Sequence, residues 1–300
     1  MSDQTRFRRF GARGIVLALG VALAGVAIPA SPASAAIPGL MRMTAVSGNS
    51  SANFQTATAV CPIGKVLLGT GFEIAGGNGA VTVDDFRING SPTTPPTAVT
   101  VGAYEVDDFE ENWMVKAYAV CADPIPGLVR IAVSSPYDSA DFQSVTATCP
   151  TGKVLTSSGF ELHEIVGKGI ADDLRPNGTL ANPPTSVTLG VYEADPFFGE
   201  WSATVYAVCA NPIPGLVQAT ALSVPNSNNF NNIVAVCLPG KVLLGGGFEL
   251  RNAFGEVLVD DFVPNGGPVT PPVSVIVGAF EQGPFDEDWT IRSYAICANL

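Results

Sequence analysis

Histidine is almost missing from this chain: His163 is the only one in 300 residues. A Ser-His-Asp or Cys-His site is therefore confined to a single place, and no nucleophile elbow, phosphate-cradling glycine loop or HExxH helix surrounds that residue. His163 reads as a surface residue. Basic side chains are scarce as well, 15 against 27 acidic ones, for a formal net charge of −12. A chain this acidic does not hold a phosphate backbone by counterion release, which excludes nucleic acid as a partner. Long apolar runs are lacking beyond Ile15–Ile28, so no second segment approaches the ~20 residues that a membrane span needs. Amphipathic stripes with caps at both ends are lacking too, which argues against helices. Charged residues make up only 14% while 47% are apolar, so the chain is not disordered.

What is present begins with an address. Arg6, Arg8, Arg9 and Arg13 precede the uncharged stretch Ile15–Ile28, and the small residues Ala33-Ser34-Ala35 follow. That three-part order predicts an export signal over 1–36, cleaved after Ala35 or Ala36. Arg8-Arg9 raises the twin-arginine route, although the rest of that motif is poorly matched, and the choice between it and general secretion stays open. Loss of 1–36 removes four basic residues and one acidic residue, leaving 11 and 26 and a net charge of −15. The expectation is a secreted or cell-surface protein with no membrane span after cleavage.

The rest of the chain is one module written three times. Ile37-Pro38-Gly39-Leu40 recurs as Ile125-Pro126-Gly127-Leu128 and Ile213-Pro214-Gly215-Leu216, which divides it without gaps into 37–124, 125–212 and 213–300. The six cysteines keep the same frame, each module holding two that lie 60 residues apart. Of the 15 possible pairings the repeat selects Cys61–Cys121, Cys149–Cys209 and Cys237–Cys297, which suits an oxidising compartment.

In the third copy Val217–Ser223, Ile233–Cys237, Lys241–Leu250, Glu256–Phe262, Val273–Phe280 and Trp289–Ala298 read as strands, with Pro239-Gly240, Asn265-Gly266 and Gly283-Pro284 among the turns between them. The expected fold is all-β: three tandem β-sandwich or small-barrel modules, each closed by one disulfide. Short proline-bearing joints such as Ala122–Pro126 make a flexible string improbable and leave two packings, a rigid rod or a body with a pseudo-threefold axis. A module such as 213–300 is expected to fold alone, and a molten product would favour one interlocked body.

Several repeated residues have structural readings. Gly71, Gly159 and Gly247 lie inside a strand, where glycine marks a bulge or a close backbone approach. Phe54, Phe142 and Phe230 read as core aromatics, as do Trp113, Trp201 and Trp289 and Tyr118, Tyr206 and Tyr294; an exposed Trp would instead offer a sugar a stacking platform. Lys65, Lys153 and Lys241 read as salt partners of a nearby Glu.

The repeated acids are the candidate site. Asp84-Asp85 recurs as Asp172-Asp173 and Asp260-Asp261, each followed by an Asn-Gly: Asn89, Asn177 and Asn265. Glu105, Glu193 and Glu281 recur, and so do Glu73, Glu161 and Glu249. Asp85, Asn89, Asp173, Asn177, Asp261 and Asn265 are the expected ligand contacts. Asp84, Glu105, Asp172, Glu193, Asp260 and Glu281 form the oxygen set that would suit Ca²⁺, although no EF-hand-like spacing is present. Adjacent Asp residues on a strand face opposite ways unless the chain bulges, and a solvated Asn-Gly turn explains the same residues without a ligand. Further acids precede each Trp: Asp107, Asp108, Glu110 and Glu111; Asp195 and Glu200; Asp286, Glu287 and Asp288. They read as exposed tips.

The segment Cys237-Leu238-Pro239-Gly240-Lys241 through Gly246-Gly247-Phe248, with the closing Tyr294-Ala295-Ile296-Cys297-Ala298, resembles a disulfide-closed β-domain of exported actinobacterial proteins, a group without a settled activity. The resemblance covers all three modules and implies compartment and fold. A fainter likeness is to vitelline membrane outer layer proteins, which carry a similar Cys-Pro-x-Gly element and three much shorter repeats on a β-prism; none of their residues is carried over.

Together these features point to a non-enzymatic, multivalent binder of polysaccharide or cell envelope, needing no cofactor unless calcium occupies the acids. The alternatives are a structural or surface-layer protein without a small ligand, an inhibitor of secreted hydrolases acting through a loop such as Ser91–Pro96, and a glycosidase built on a carboxylate pair. Oligomeric state is not encoded in any of them.

Overall fold

The alternation of apolar and polar residues is realised as strands throughout. The computed structural model describes residues 37–194 and 197–300, so the export signal and Asp195 lie outside the described residues. Module 1 holds β1 (Met41–Val46), β2 (Phe54–Val60), β3 (Val66–Ala75), β4 (Val81–Ile88), β5 (Ala98–Glu105) and β6 (Met114–Ala122). Module 2 repeats them as β7 (Val129–Ser134), β8 (Phe142–Thr148), β9 (Val154–His163), β10 (Gly169–Pro176), β11 (Ser186–Glu193) and β12 (Ser202–Ala210). Module 3 has β13 (Val217–Leu222), β14 (Phe230–Val236), β15 (Lys241–Arg251), β16 (Val257–Pro264), β17 (Ser274–Glu281) and β18 (Thr290–Asn299).

Within a module the strands divide between two sheets. In module 1, β1-β6-β3 pair on one side and β2-β5-β4 on the other, all antiparallel. The bridge Cys61–Cys121 joins the end of the second strand to the last strand, and Cys149–Cys209 and Cys237–Cys297 do the same in their modules. The pairing read from the repeat therefore stands.

Neither half-sheet stops at the module boundary. The three six-stranded sheets run β1-β6-β3-β16-β17-β14, β2-β5-β4-β9-β12-β7 and β13-β18-β15-β10-β11-β8. Each module shares one sheet with each of the other two, so the chain closes on itself about a pseudo-threefold axis and the rod is excluded. The same topology argues against a module folding alone, because half of each sheet belongs to a neighbour. The repeat boundaries stand as sequence units, while the described residues from Ile37 onward form one compact unit.

Each seam is short, and alternation divides its residues between inside and outside. At the three seams Phe72 pairs with Phe262, Phe86 with Phe160 and Phe248 with Leu174. These six side chains are fully buried. Their rings meet edge-on, Phe72 on Phe86 at 5.1 Å and Phe248 on Phe262 at 5.8 Å between centroids. Such pairs add about 0.5–1.5 kcal/mol each to the burial of the rings.

The strand glycine before each Phe is required here. A Cβ on Gly71 would stand 2.5 Å from the Phe262 carbonyl oxygen, on Gly159 2.3 Å from that of Phe86, and on Gly247 2.0 Å from that of Leu174. The close approach expected of these glycines is thus an approach between modules.

Candidate functional site

The next residue at every seam points outward, and it is an acid. Asp85 pairs with Glu161, Asp173 with Glu249 and Asp261 with Glu73. Two carboxylates directly opposite each other repel, so each pair needs compensation. Tyr206, Tyr294 and Tyr118 donate their hydroxyls to Glu161, Glu249 and Glu73. Basic groups supply the rest: Arg87 lies 3.3 Å from Glu161, Lys116 lies 2.5 Å from Glu73, and Arg175, Arg251 and Arg292 lie at 3.3, 2.9 and 3.5 Å from Glu249. At Glu249 burial opposes ionisation, yet the bonds from Tyr294 and Arg251 and the guanidinium charges hold its carboxyl below the usual value.

The first Asp of each pair sits on a bulge. The register skips Asp84 between Val83 and Asp85, Asp172 between Ala171 and Asp173, and Asp260 between Val259 and Asp261. The bulge turns the extra residue off the alternation. Asp84, Asp172 and Asp260 are only 7%, 8% and 5% exposed, and one carboxyl oxygen of Asp172 and of Asp260 has no hydrogen-bond partner. Burial first, then the adjacent Asp, pushes Asp84 up to about 7, Asp172 to about 8 and Asp260 to about 9. Asp173 and Asp261 rise to about 6, and Asp85 rises as well, again with burial as the main cause. Near neutrality Asp172 and Asp260 thus stay largely protonated and Asp84 about half so.

The calcium set is not gathered in one place. Glu105, Glu193 and Glu281 accept the indole N–H of Trp113, Trp201 and Trp289 at 2.9, 2.7 and 2.9 Å. Glu105 pairs with Val81, away from Asp84 along the strand. Among the described residues no group of three or more His, Cys, Asp or Glu side chains is arranged to hold a metal. The three Trp side chains are fully buried, so they belong to the core and are not platforms.

The Asn-Gly residues are placed in an unexpected role. Asn89 Oδ1 accepts the amides of Thr97 and Ala98, Asn177 Oδ1 those of Thr185 and Ser186, and Asn265 Oδ1 those of Val273 and Ser274. This closes each loop into a strap that docks on the first strand of the next module. Arg130 N–H donates to Ser91, that of Gln218 to Thr179 and that of Arg42 to Gly267. The side chains of Arg130 and Arg42 reach the Gly90 and Pro264 carbonyls. The side-chain oxygens of Asn89, Asn177 and Asn265, expected at a ligand, are thus engaged within the loops. The Ser91–Pro96 loop suggested for inhibition is one of these straps.

Two further expectations change. Lys65, Lys153 and Lys241 bond to the Gly39, Gly127 and Gly215 carbonyls and to Asp123, Asn211 and Asn299, tying module ends together instead of pairing with a Glu. Phe54, Phe142 and Phe230 are not core: they are 39%, 41% and 37% exposed on outer faces. Each stacks on a partner across the strand, Tyr104, Tyr192 and Phe280, at 4.4 to 4.5 Å. Phe54 and Phe142 also lie over Gly102 and Gly190, within about 3 Å of where a Cβ would stand. Asp85 and Asp173 sit opposite those same glycines, so the ring pair borders the acid row. Asp85, Asp173 and Asp261 keep their place on the outer faces.

Comparing identical residues across the copies misses these partners, because position 280 holds Phe where 104 and 192 hold Tyr; a comparison by residue class finds them. His163 bonds to Thr204 at 2.9 Å on the outer face. Of the acidic tips, Asp107, Asp108, Glu110, Glu111, Glu200, Asp286, Glu287 and Asp288 are exposed as expected. Among the described residues no helix is long and apolar enough to cross a membrane. No family model and no curated protein matches the chain.

Proposed function

We propose that this is a secreted, non-enzymatic, multivalent binding protein whose partner is extracellular polysaccharide or the cell envelope. The observation that carries the reading is the exposed ring pair beside a carboxylate row, present on all three sheets. A sugar ring lays its C–H face on an aromatic ring while its hydroxyls donate to neighbouring carboxylates. Three such faces on one rigid body multiply weak affinities through effective concentration. The three disulfides agree with an oxidising compartment. The resemblance to exported actinobacterial β-domains supports the same address.

The test is retention of the protein on insoluble polysaccharides and isolated cell walls, with and without EDTA. Retention should survive one Phe→Ala change and fall steeply in the triple variant F54A/F142A/F230A. Loss of retention in EDTA would bring a calcium ion back to the Asp pairs. No retention on any matrix would favour the structural reading. That reading has support in the exposed Val46, Val60 and Val236 at the ends of edge strands, where further copies could pair.

A further inference from the structure

The three outer faces share a plan but differ in charge. On the face of β13-β18-β15-β10-β11-β8, Arg175, Arg251 and Arg292 all converge on Glu249. Each guanidinium has five N–H donors, and one carboxylate that already accepts Tyr294 Oη–H cannot satisfy three of them. Arg175 and Arg251 keep nearly half of their side-chain surface in solvent, so both remain open to a ligand. This face carries three guanidinium groups against the outward carboxylates Glu249 and Asp173. The other faces set Lys116 and Arg42 against Glu73 and Asp261, and Arg87 and Arg130 against Glu161 and Asp85. One face of a strongly acidic protein thus has one more basic side chain than either of the others.

The same face has room. A cleft of about 550 Å³ opens where the strap 177–180 crosses β13 and β18, with Arg292, Tyr294, Gln218, Thr220 and Leu180 on its walls. At the matching place on the other faces a longer side chain lies across the Tyr ring, Arg42 over Tyr118 at 4.5 Å and Arg130 over Tyr206 at 4.7 Å. Gln218 replaces them, fills less volume and brings no charge. On the far side of the arginines stands the Phe142–Tyr192 pair, Tyr192 on β11 and Phe142 on β8, two and three strands from β15 and so about 10 and about 14 Å away.

We propose that this face is a subsite for a carboxylated polysaccharide, a polymer of hexuronate units. The planar carboxylate of one unit would take the free edges of Arg251 and Arg292 in two-pronged bonds, and a second unit would lie on Phe142 and Tyr192. The cleft beneath the strap is large enough for one further sugar. This rests on the polysaccharide-binding reading above and names the substrate class for one of its three faces.

The test measures binding of the purified protein to polygalacturonate, to a neutral glucan and to dextran sulfate. R251Q/R292Q should weaken polygalacturonate binding at least tenfold and leave glucan retention unchanged. E249Q, which frees donors and removes one negative charge, should tighten polygalacturonate binding several-fold, a gain that misfolding cannot produce. Unchanged polygalacturonate affinity in both variants overturns the subsite, as does equal affinity for dextran sulfate, which would mean a general anion surface. Glucan retention without polygalacturonate retention overturns this inference alone. Retention on neither polymer nor on cell walls overturns the binding reading with it.

Discussion

Replacing Asp260 by Asn should reverse its effect on stability across the pH range. The carboxyl is 5% exposed, one oxygen lacks a partner, and burial raises its pKa from 3.8 to about 9. A carboxyl whose pKa is raised in the folded state favours folding in its protonated form. That contribution is complete below the unfolded value of 3.8 and is lost as pH climbs toward 9, because the unfolded chain ionises and the folded one resists. At pH 7 the penalty is on the order of 4 kcal/mol, from about 1.4 kcal/mol for each pH unit above the unfolded value. An Asn of the same shape never ionises, but its amide leaves a buried donor without an acceptor, at a cost of about 1–3 kcal/mol. The variant should therefore be less stable than the parent at pH 4, more stable by about 1–3 kcal/mol at pH 7, and further ahead at pH 8. Urea unfolding followed by near-ultraviolet circular dichroism of the buried Trp residues, at pH steps from 4 to 9, measures this. Asp107→Asn, at an exposed tip, serves as the reference. Parallel stability curves for D260N and its parent would refute the reasoning, since they would mean that Asp260 ionises freely in the folded protein.

Phe72→Ala should cost about 3–5 kcal/mol. Because Phe72 touches rings of modules 1 and 3, the loss should appear as one earlier transition of the whole body in calorimetry, not as melting of module 1 alone. The isolated segment 213–300 should give a molten product in near-ultraviolet circular dichroism, and a sharp cooperative melt would contradict the shared sheets. Trp fluorescence should resist acrylamide quenching, and Glu281→Ala should cost about 1–3 kcal/mol in a urea melt by stranding the Trp289 N–H. Removing one bridge as C149S/C209S should cost roughly 4 kcal/mol on the chain-entropy view of a 60-residue loop, read as a lower urea midpoint.

The seams show where reading along the chain succeeds and where it stops. The dipeptide Phe72-Glu73 announces its own alternation, one residue in and one out, and its recurrence as Phe160-Glu161 and Phe248-Glu249 marks it as structural. Nothing local states which strand lies beside it. Their partners Phe262 and Asp261 are 190 and 188 residues further along, and only the closed three-sheet body brings them into register. Phe54 shows the opposite failure. Its size reads as core, but on the edge strand β2 it shares the outer face with Thr56 and Thr58, while Gln55, Ala57 and Ala59 face inward. A large apolar side chain is not enough to mark the inner face of a strand; the polarity of its neighbours two residues away is the better guide.

The sequence alone determined what repeats and local chemistry can fix. Three equal modules, strands instead of helices, and a disulfide in each follow from spacing and alternation, because residues a fixed distance apart meet the same partners in every copy. Tertiary structure decided everything that depends on contact between copies. It chose the threefold body over the rod, turned the Asn-Gly loops into straps, set acid against acid at each seam, and left three arginines on one face. Each of these comes from pairing between strands of different modules, and copies that are alike in sequence carry no local mark of which neighbour they will meet.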